Sequence, residues 1–204
     1  MTKILILLLT VFSVHSAHAL VEARLSYGLL GSNPNLASIY DPAGTTAVPS
    51  IVPNMGLGID AIFIVPIIGL GGGLRYENLG FTASSNGLEY KSQITRTSLV
   101  VNFRLINTLI YLGPIATIGL SHSNNIKWTD SNTSLSADLT PDSASSYSVG
   151  LEAGVKLLSF VIGAEAGYQN LKWNTLKDSK GLITSNPDLD MSGTYAKIMF
   201  GFGI

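Results

Sequence analysis

The chain contains no cysteine. Disulfide scaffolds, thiolate nucleophiles and cysteine-bound metals are therefore excluded. Histidine is nearly absent too: His15 and His18 fall within the first nineteen residues, and only His122 lies beyond them. That excludes a multi-histidine metal centre and rests any histidine chemistry on His122 alone. Charge is scarce. Asp, Glu, Lys and Arg make up 12% of the chain, about half of the ~25% usual in soluble domains. The balance is slightly acidic, a net charge of −1, so a nucleic-acid footprint is missing. Finally, 46% of residues are hydrophobic, yet no interior run approaches the roughly 20 apolar residues of a transmembrane helix. The hydrophobicity must be dispersed.

The one apolar block is N-terminal. Lys3 precedes the run Ile4 to Val14, and Ala17-His18-Ala19 has the small-x-small form of a cleavage site. This reads as a secretory signal peptide over residues 1–19, leaving residues 20–204 as a single domain. With Lys3 removed, 11 basic and 13 acidic residues remain, a net charge of −2.

Beyond the signal the dispersal is an alternation. In Ser148 to Tyr168, Val149, Leu151, Ala153, Val155 and Leu157 share one parity and Glu152 and Lys156 the other. After Leu158-Ser159-Phe160 the pattern resumes, with Ile162, Ala164, Ala166 and Tyr168 opposite Glu165. Period two marks a strand, and the short break marks a tight hairpin. The same reading predicts strands over about Val21–Gly31, Asn54–Ile64, Ile68–Phe81, Ser92–Leu105 and Thr108–Ser121, and a last one through Tyr195–Ile204. Pro114 predicts a bulge or break in the fifth. The connections run long, short, medium, short, long, short, long. The first carries Pro34, Pro42, Pro49 and Pro53; Ile106-Asn107 is a tight turn; His122–Ala144 and Lys172–Met191 are polar loops. Every tight turn then lies at one end of eight strands and every large loop at the other, with both termini at the tight-turn end. That asymmetry belongs to an outer-membrane barrel. Tyr27, Tyr147, Tyr168 and Trp173 near the loop end, and Phe63, Phe103 and Phe160 near the turn end, fit two interfacial girdles. The predicted fold is all-β: an eight-stranded antiparallel up-and-down transmembrane β-barrel with short periplasmic turns and long extracellular loops.

One parity collects Glu22, Arg24, Asp60, Arg75, Glu77, Arg96, Arg104, Glu152, Lys156, Glu165 and Lys197, five acids and six bases. A basic side chain at the lipid midplane costs about 2–4 kcal/mol, and net stability is typically only about 5–15 kcal/mol. The charges must therefore face the lumen. About eight strands leave an interior just wide enough for side chains to fill, and interleaved glycines make room for long ones. The expectation is a lumen plugged by ion-paired charges.

These features (an A-x-A signal, eight alternating strands, four loops, an alternating C-terminal strand) resemble the small OmpA/OmpX-like outer-membrane β-barrel superfamily across essentially the whole mature chain. The resemblance implies a Gram-negative outer membrane, extracellular loops, periplasmic termini, contact with outer-membrane lipid and lipopolysaccharide, and recognition of the terminal strand by the barrel-assembly machinery. That strand usually ends in an aromatic; here it ends Phe200-Gly201-Phe202-Gly203-Ile204, a departure. No peptidoglycan-binding domain is expected after the barrel, so tethering to the cell wall is not expected either.

Other motifs yield to blander readings. His122-Ser123-Asn124 resembles the His-x-Ser-Asn segment of outer-membrane lipid A deacylases, but Ser121 and Ser123 are adjacent to His122 and point to the opposite strand face. Asp130, Asp138, Asp142, Asp188 and Asp190 offer oxygen to a divalent cation, though loop acids are ordinarily solvated. Gly69 to Gly73 lacks the Lys-Ser/Thr and helix of a phosphate loop. Asn132-Thr133-Ser134 is a sequon by pattern only. The resulting expectation is a non-catalytic barrel without cofactor, metal site or nucleic-acid partner, presenting loops to an extracellular ligand. A narrow channel, a lipid-modifying enzyme dependent on His122 and a soluble lipocalin-like barrel with inverted faces are the alternatives.

Overall fold

The structure is a computed structural model that describes residues 20–32, 54–85, 87–178 and 188–203. The expected signal peptide, the proline-bearing first connection and Ile204 lie outside the described residues. Among the described residues there are eight long strands: β1 Leu20–Ser32, β2 Asn54–Val65, β3 Leu70–Ser85, β4 Leu88–Phe103, β5 Ile110–Asp130, β6 Leu135–Leu157, β7 Phe160–Asp178 and β8 Gly193–Gly203. Each pairs antiparallel with its sequence neighbour, and β8 returns to β1. Two short segments add to the wall: Ile106–Asn107 on β5 and Leu189–Asp190 on β7.

Closure can be followed residue by residue. From Glu22 the register passes through Ile62, Gly73, Val100, Thr117, Ser148, Gln169 and Gly193 and re-enters β1 at Ser32, ten residues further on. A stagger of that size inclines the strands by roughly 35–45° to the barrel axis. The alternation sets the faces. Leu57, Leu151 and Ile198 lie outside at 68%, 61% and 67% exposure, while Glu22, Asp60, Arg75 and Glu152 are fully buried within. A soluble barrel would reverse this, so the lipocalin-like alternative is excluded. Tyr27, Tyr76, Tyr147 and Tyr168 ring the exterior at one level and Phe63, Phe103, Phe160 and Phe202 at another. Phe160 and Tyr168 on β7 are separated by ~26 Å along the strand, about 20 Å of height after the tilt. That is close to the ~25 Å apolar band of such barrels. Trp173, expected in the upper girdle, instead points inward and is 1% exposed.

The strands overrun several expected loops. His122–Ala144 is not a loop: β5 continues to Asp130 and β6 starts at Leu135, leaving a tip at Ser131–Ser134. Asp130 fixes that tip. Thr133 Oγ1 donates to Oδ2 at 2.7 Å and the Asn132 N–H to Oδ1 at 2.9 Å. These bonds, the Thr133 hydroxyl first, hold the Asp130 carboxyl below its usual range. β3 and β4 likewise extend to Ser85 and Leu88, and β7 reaches Asp178. The cause is a change of surroundings. Above the tyrosine ring the outer face meets water rather than lipid, so Lys127 and Thr129 point out while Ile126 and Trp128 point in. The inner apolar faces of this extension close a core of Leu79, Phe81, Ile94, Ile126, Trp128 and Leu171 with their neighbours.

Two local expectations are corrected. Ile106-Asn107 is not the turn itself but folds back on Leu112 and Tyr111. Pro114 remains in a regular strand, because the β4–β5 ladder stops at Asn102–Ile115, one residue short of it. The bulge lies at Leu120, where Ser98 pairs with Gly119 and Thr97 with Ser121. Beside it the β5–β6 ladder lapses between Ile118–Tyr147 and Ile126–Leu139, a stretch that includes Pro141, which has no donor to give. Amide hydrogen exchange in residues 119–125 and 142–146 should therefore outpace that in 111–118, on the alternate residues whose N–H faces the gap. Equal protection on both sides of Ile118 would contradict this register.

Candidate functional site: the charged lumen

The alternation of β1–β8 delivers all eleven predicted charges to the interior, in two tiers. The lower tier, at the turn end, is built on two carboxylates. Glu22 accepts from Arg24 at 2.5 Å and 2.9 Å, and from Arg104 at 2.7 Å and 2.8 Å. Glu152 accepts from Arg24 at 2.9 Å, Arg104 at 3.1 Å and Asn102 at 2.5 Å. Both guanidinium groups thus bridge both acids, which matches the fork geometry of arginine. Arg104 also stacks over Tyr111, 4.1 Å from its centroid. Lys156 stands apart: it lies 3.8 Å from Glu22 and donates to Asn107 Oδ1 at 2.6 Å, only partly buried.

In the upper tier Arg75 grips Asp60 through two bonds of 2.8 Å and Glu165 through bonds of 3.0 Å and 2.7 Å. Tyr195 donates to Glu165 at 2.8 Å. Glu77 accepts from Arg96 Nε at 2.5 Å and from Lys197. The lower tier carries two acids and three bases, the upper three of each, so the charges nearly cancel. Buried ions are costly unless paired and hydrogen-bonded. Except at Arg96, whose Nη1 and Nη2 have no hydrogen-bond partner among the described residues, the arrangement meets this with partners contributed by strands far apart in sequence, 128 residues for Arg24 and Glu152. Sequence predicted the face but could not assign the partners.

Glycines shape the space. A Cβ at Gly150 would stand 2.5 Å from the Ala166 carbonyl oxygen and 2.6 Å from Tyr195 Oη. Gly150→Val should therefore cost about 1–3 kcal/mol by overpacking, read as a lower denaturant midpoint; an unchanged midpoint would mean the lumen is looser than it looks.

His122 sits above the upper tier, half-buried. Its Nε2 shares a 2.7 Å hydrogen bond with Ser146 Oγ, and its ring meets Trp173 edge-on at 5.9 Å. Ser123 points out, as strand parity dictates. The Ser146 contact was not legible in sequence, since 24 residues separate the two. Neither partner is an acid that would orient His122 as a base. Among the described residues no three His, Asp or Glu side chains converge as a metal site. Asp142 binds Lys177 at 2.6 Å, Asp190 binds Lys172 at 3.2 Å, and Asp188 accepts from the Thr175 N–H at 2.9 Å.

What the geometry defines is a membrane-embedded antiparallel barrel with a lipid-facing wall and a filled interior. Comparison with known proteins agrees. No family model matches the chain, and no curated protein sequence does. Solved structures do. A major outer membrane protein from Thermus thermophilus superposes with a TM-score of 0.53 at 10% identity, covering 90% of this chain and 99% of that one. OprG from Pseudomonas aeruginosa gives 0.52 at 15%, covering 92% and 96%. Ail of Yersinia pestis, in complex with the heparin analogue sucrose octasulfate, gives 0.51 at 14%, covering 92% and 99%. At these identities the likeness is one of fold: this chain has the fold of the small OmpA/OmpX-like outer-membrane β-barrels.

Proposed function

We propose that this protein is a closed, non-catalytic barrel of the Gram-negative outer membrane, with periplasmic termini, whose role is to carry a rigid extracellular extension that binds a partner at the cell surface. One observation supports this reading above all: ten of the eleven lumen charges, all but Lys156, are buried, and they are bonded mainly to one another, which favours a closed interior over an aqueous channel. Above them the extension of β3–β7 is filled by its own apolar core, which makes it a rigid platform rather than a set of pliant loops. The fold neighbour Ail binds a sulfated glycan analogue. In this chain the described part of the extension carries Glu89 and six aspartates against four lysines, a charge that favours a cationic or neutral partner over such a polyanion. The terminal strand β8, with Phe200 and Phe202 outward, is the surface that assembly machinery would read.

The test uses the absence of native cysteine. Thr133→Cys at the β5–β6 tip should react with a membrane-impermeant maleimide on intact cells, and Ser159→Cys at the β6–β7 turn should react only after the outer membrane is opened. Proteoliposomes of the folded barrel should swell in an arabinose gradient no faster than empty ones. Reversed labelling or rapid swelling would overturn the proposal.

A further inference from the structure

Buried donors without acceptors gather where the charged plug meets the apolar core. Among the described residues Arg96 Nη1 and Nη2, Trp173 Nε1, Asn124 Nδ2 and Gln169 Nε2 are covered and make no hydrogen bond. Such groups are ordinarily matched when buried, and each exception calls for a cause. Their placement is shared. Arg96 is the register partner of His122, and Trp173 meets the His122 ring edge-on at 5.9 Å. Asn124 is the next inward residue beyond His122 on β5. Gln169 follows the ring residue Tyr168, and Arg96 precedes Thr97, the register partner of the ring residue Tyr76. Both therefore lie at the level of the tyrosine ring. His122, between Arg96 and Trp173, is only half-buried, so packing does not fill the space beside its ring.

The chemistry of this cluster is one-sided. Arginine and tryptophan side chains donate and cannot accept. Arg96 gives only Nε to Glu77, and Glu77 also serves Lys197, so two cations share one carboxylate. The lumen as a whole holds five acids and six bases. A water set among these donors would still need acceptors for its own hydrogens. The Ser146 hydroxyl is already bonded to His122. The orphaned carboxylate and amide oxygens lie elsewhere: Asn102 Oδ1 in the lower tier, and Asp138 Oδ1 on the residue paired with Lys127 in the extension. An anion has the opposite character. It accepts from every donor present, makes a charge-assisted contact with the guanidinium, and brings the sum of the lumen charges to zero.

We propose that one small monovalent anion, chloride under ordinary conditions, binds beside His122. The Arg96 guanidinium holds it, with the Trp173 indole N–H and the Asn124 and Gln169 amides around it. It reaches the site through the interval where the β5–β6 ladder lapses next to His122, without crossing either tier. Arg96 belongs to the upper tier and Trp173 to the apolar core, so the anion fastens the extension to the plug. The inference goes beyond the surface role and does not depend on it.

The test exploits the chain's two tryptophans. In a Trp128→Phe background Trp173 is the only one, and iodide quenches indole fluorescence on contact. Iodide should quench the folded barrel saturably, and chloride should compete. Neutral acrylamide, which acts by collision, should show neither saturation nor competition. Arg96→Lys keeps a cation for Glu77 but gives up the fork, and it should raise the half-saturating iodide concentration at least tenfold. With native Trp128 and Trp173, the urea midpoint in vesicles should rise as chloride replaces gluconate at constant ionic strength. Arg96→Lys should abolish that rise and Trp173→Phe should reduce it, each variant keeping the heat-modifiable gel shift of a folded barrel. Linear quenching that chloride does not relieve would mean that water alone meets these donors, and would overturn the site. A midpoint rise that sulfate reproduces would be a general salt effect, and one that survives in Arg96→Lys would be an adventitious ion only; either overturns the proposal. None of these outcomes bears on the labelling or swelling results, so the two readings fail separately.

Discussion

Arg75→Met should lower the unfolding free energy by about 3–5 kcal/mol, the cost of breaking a buried ion pair by removing one partner. Arg75 is fully buried and is bonded to both Asp60 and Glu165. Its loss leaves two carboxylates facing each other where water does not reach. The pair's net contribution is a separate quantity, because replacing a whole buried cluster by apolar groups of similar volume is often neutral or stabilising. The triple variant Arg75→Met/Asp60→Leu/Glu165→Leu should therefore recover most of what the single variant loses. Urea titration in lipid vesicles, followed by the heat-modifiable gel shift, measures both. A loss below about 1 kcal/mol for Arg75→Met would mean that water enters the tier.

The second large effect lies on the other face. Leu151→Arg places a cation midway between the two aromatic rings, where a basic side chain on the lipid face costs about 2–4 kcal/mol. Ser123→Arg, also outward but above the tyrosine ring, should stay within about 0.5 kcal/mol of wild type. The contrast maps the membrane boundary onto the wall. Equal effects at the two positions would place the lipid band elsewhere.

That boundary also explains what could be read from the sequence. Within the membrane the rule was legible: apolar out, charged in, period two. It located the membrane-spanning parts of the strands and gathered the eleven charges on one parity, because each charge turned to lipid would cost a large fraction of the total stability. Above the tyrosine ring the rule inverts. On β4 the inward series runs from Ser98 and Arg96 to Ile94, Tyr90 and Leu88, while Gln93, Lys91 and Glu89 turn outward. A reading tuned to apolar-out strands meets polar residues there and stops, which is why His122–Ala144 looked like a loop. Ile126, Trp128, Ala137 and Leu139 already carried the alternation on the opposite parity. Trp173 was misplaced for the same reason, since aromatics in the extension belong to its core. The partners within the lumen were illegible for a different reason. They depend on the ten-residue stagger of the closed barrel, which brings β1 against β6 and β3 against β7 across the interior, and no local pattern encodes that stagger. The Leu120 bulge and the His122–Ser146 contact are consequences of pairing and share this limit.

The central claim is that the paired charges close the barrel. Single-channel recording in a planar bilayer tests it most directly, on protein first shown by the unboiled-versus-boiled gel shift to be folded. The account predicts silence from the wild type across the usual voltage range. It also predicts discrete steps from Arg24→Ala/Arg104→Ala/Arg75→Ala, which removes three of the guanidinium groups that fill the lumen. Discrete, reproducible steps from the folded wild-type barrel would contradict it.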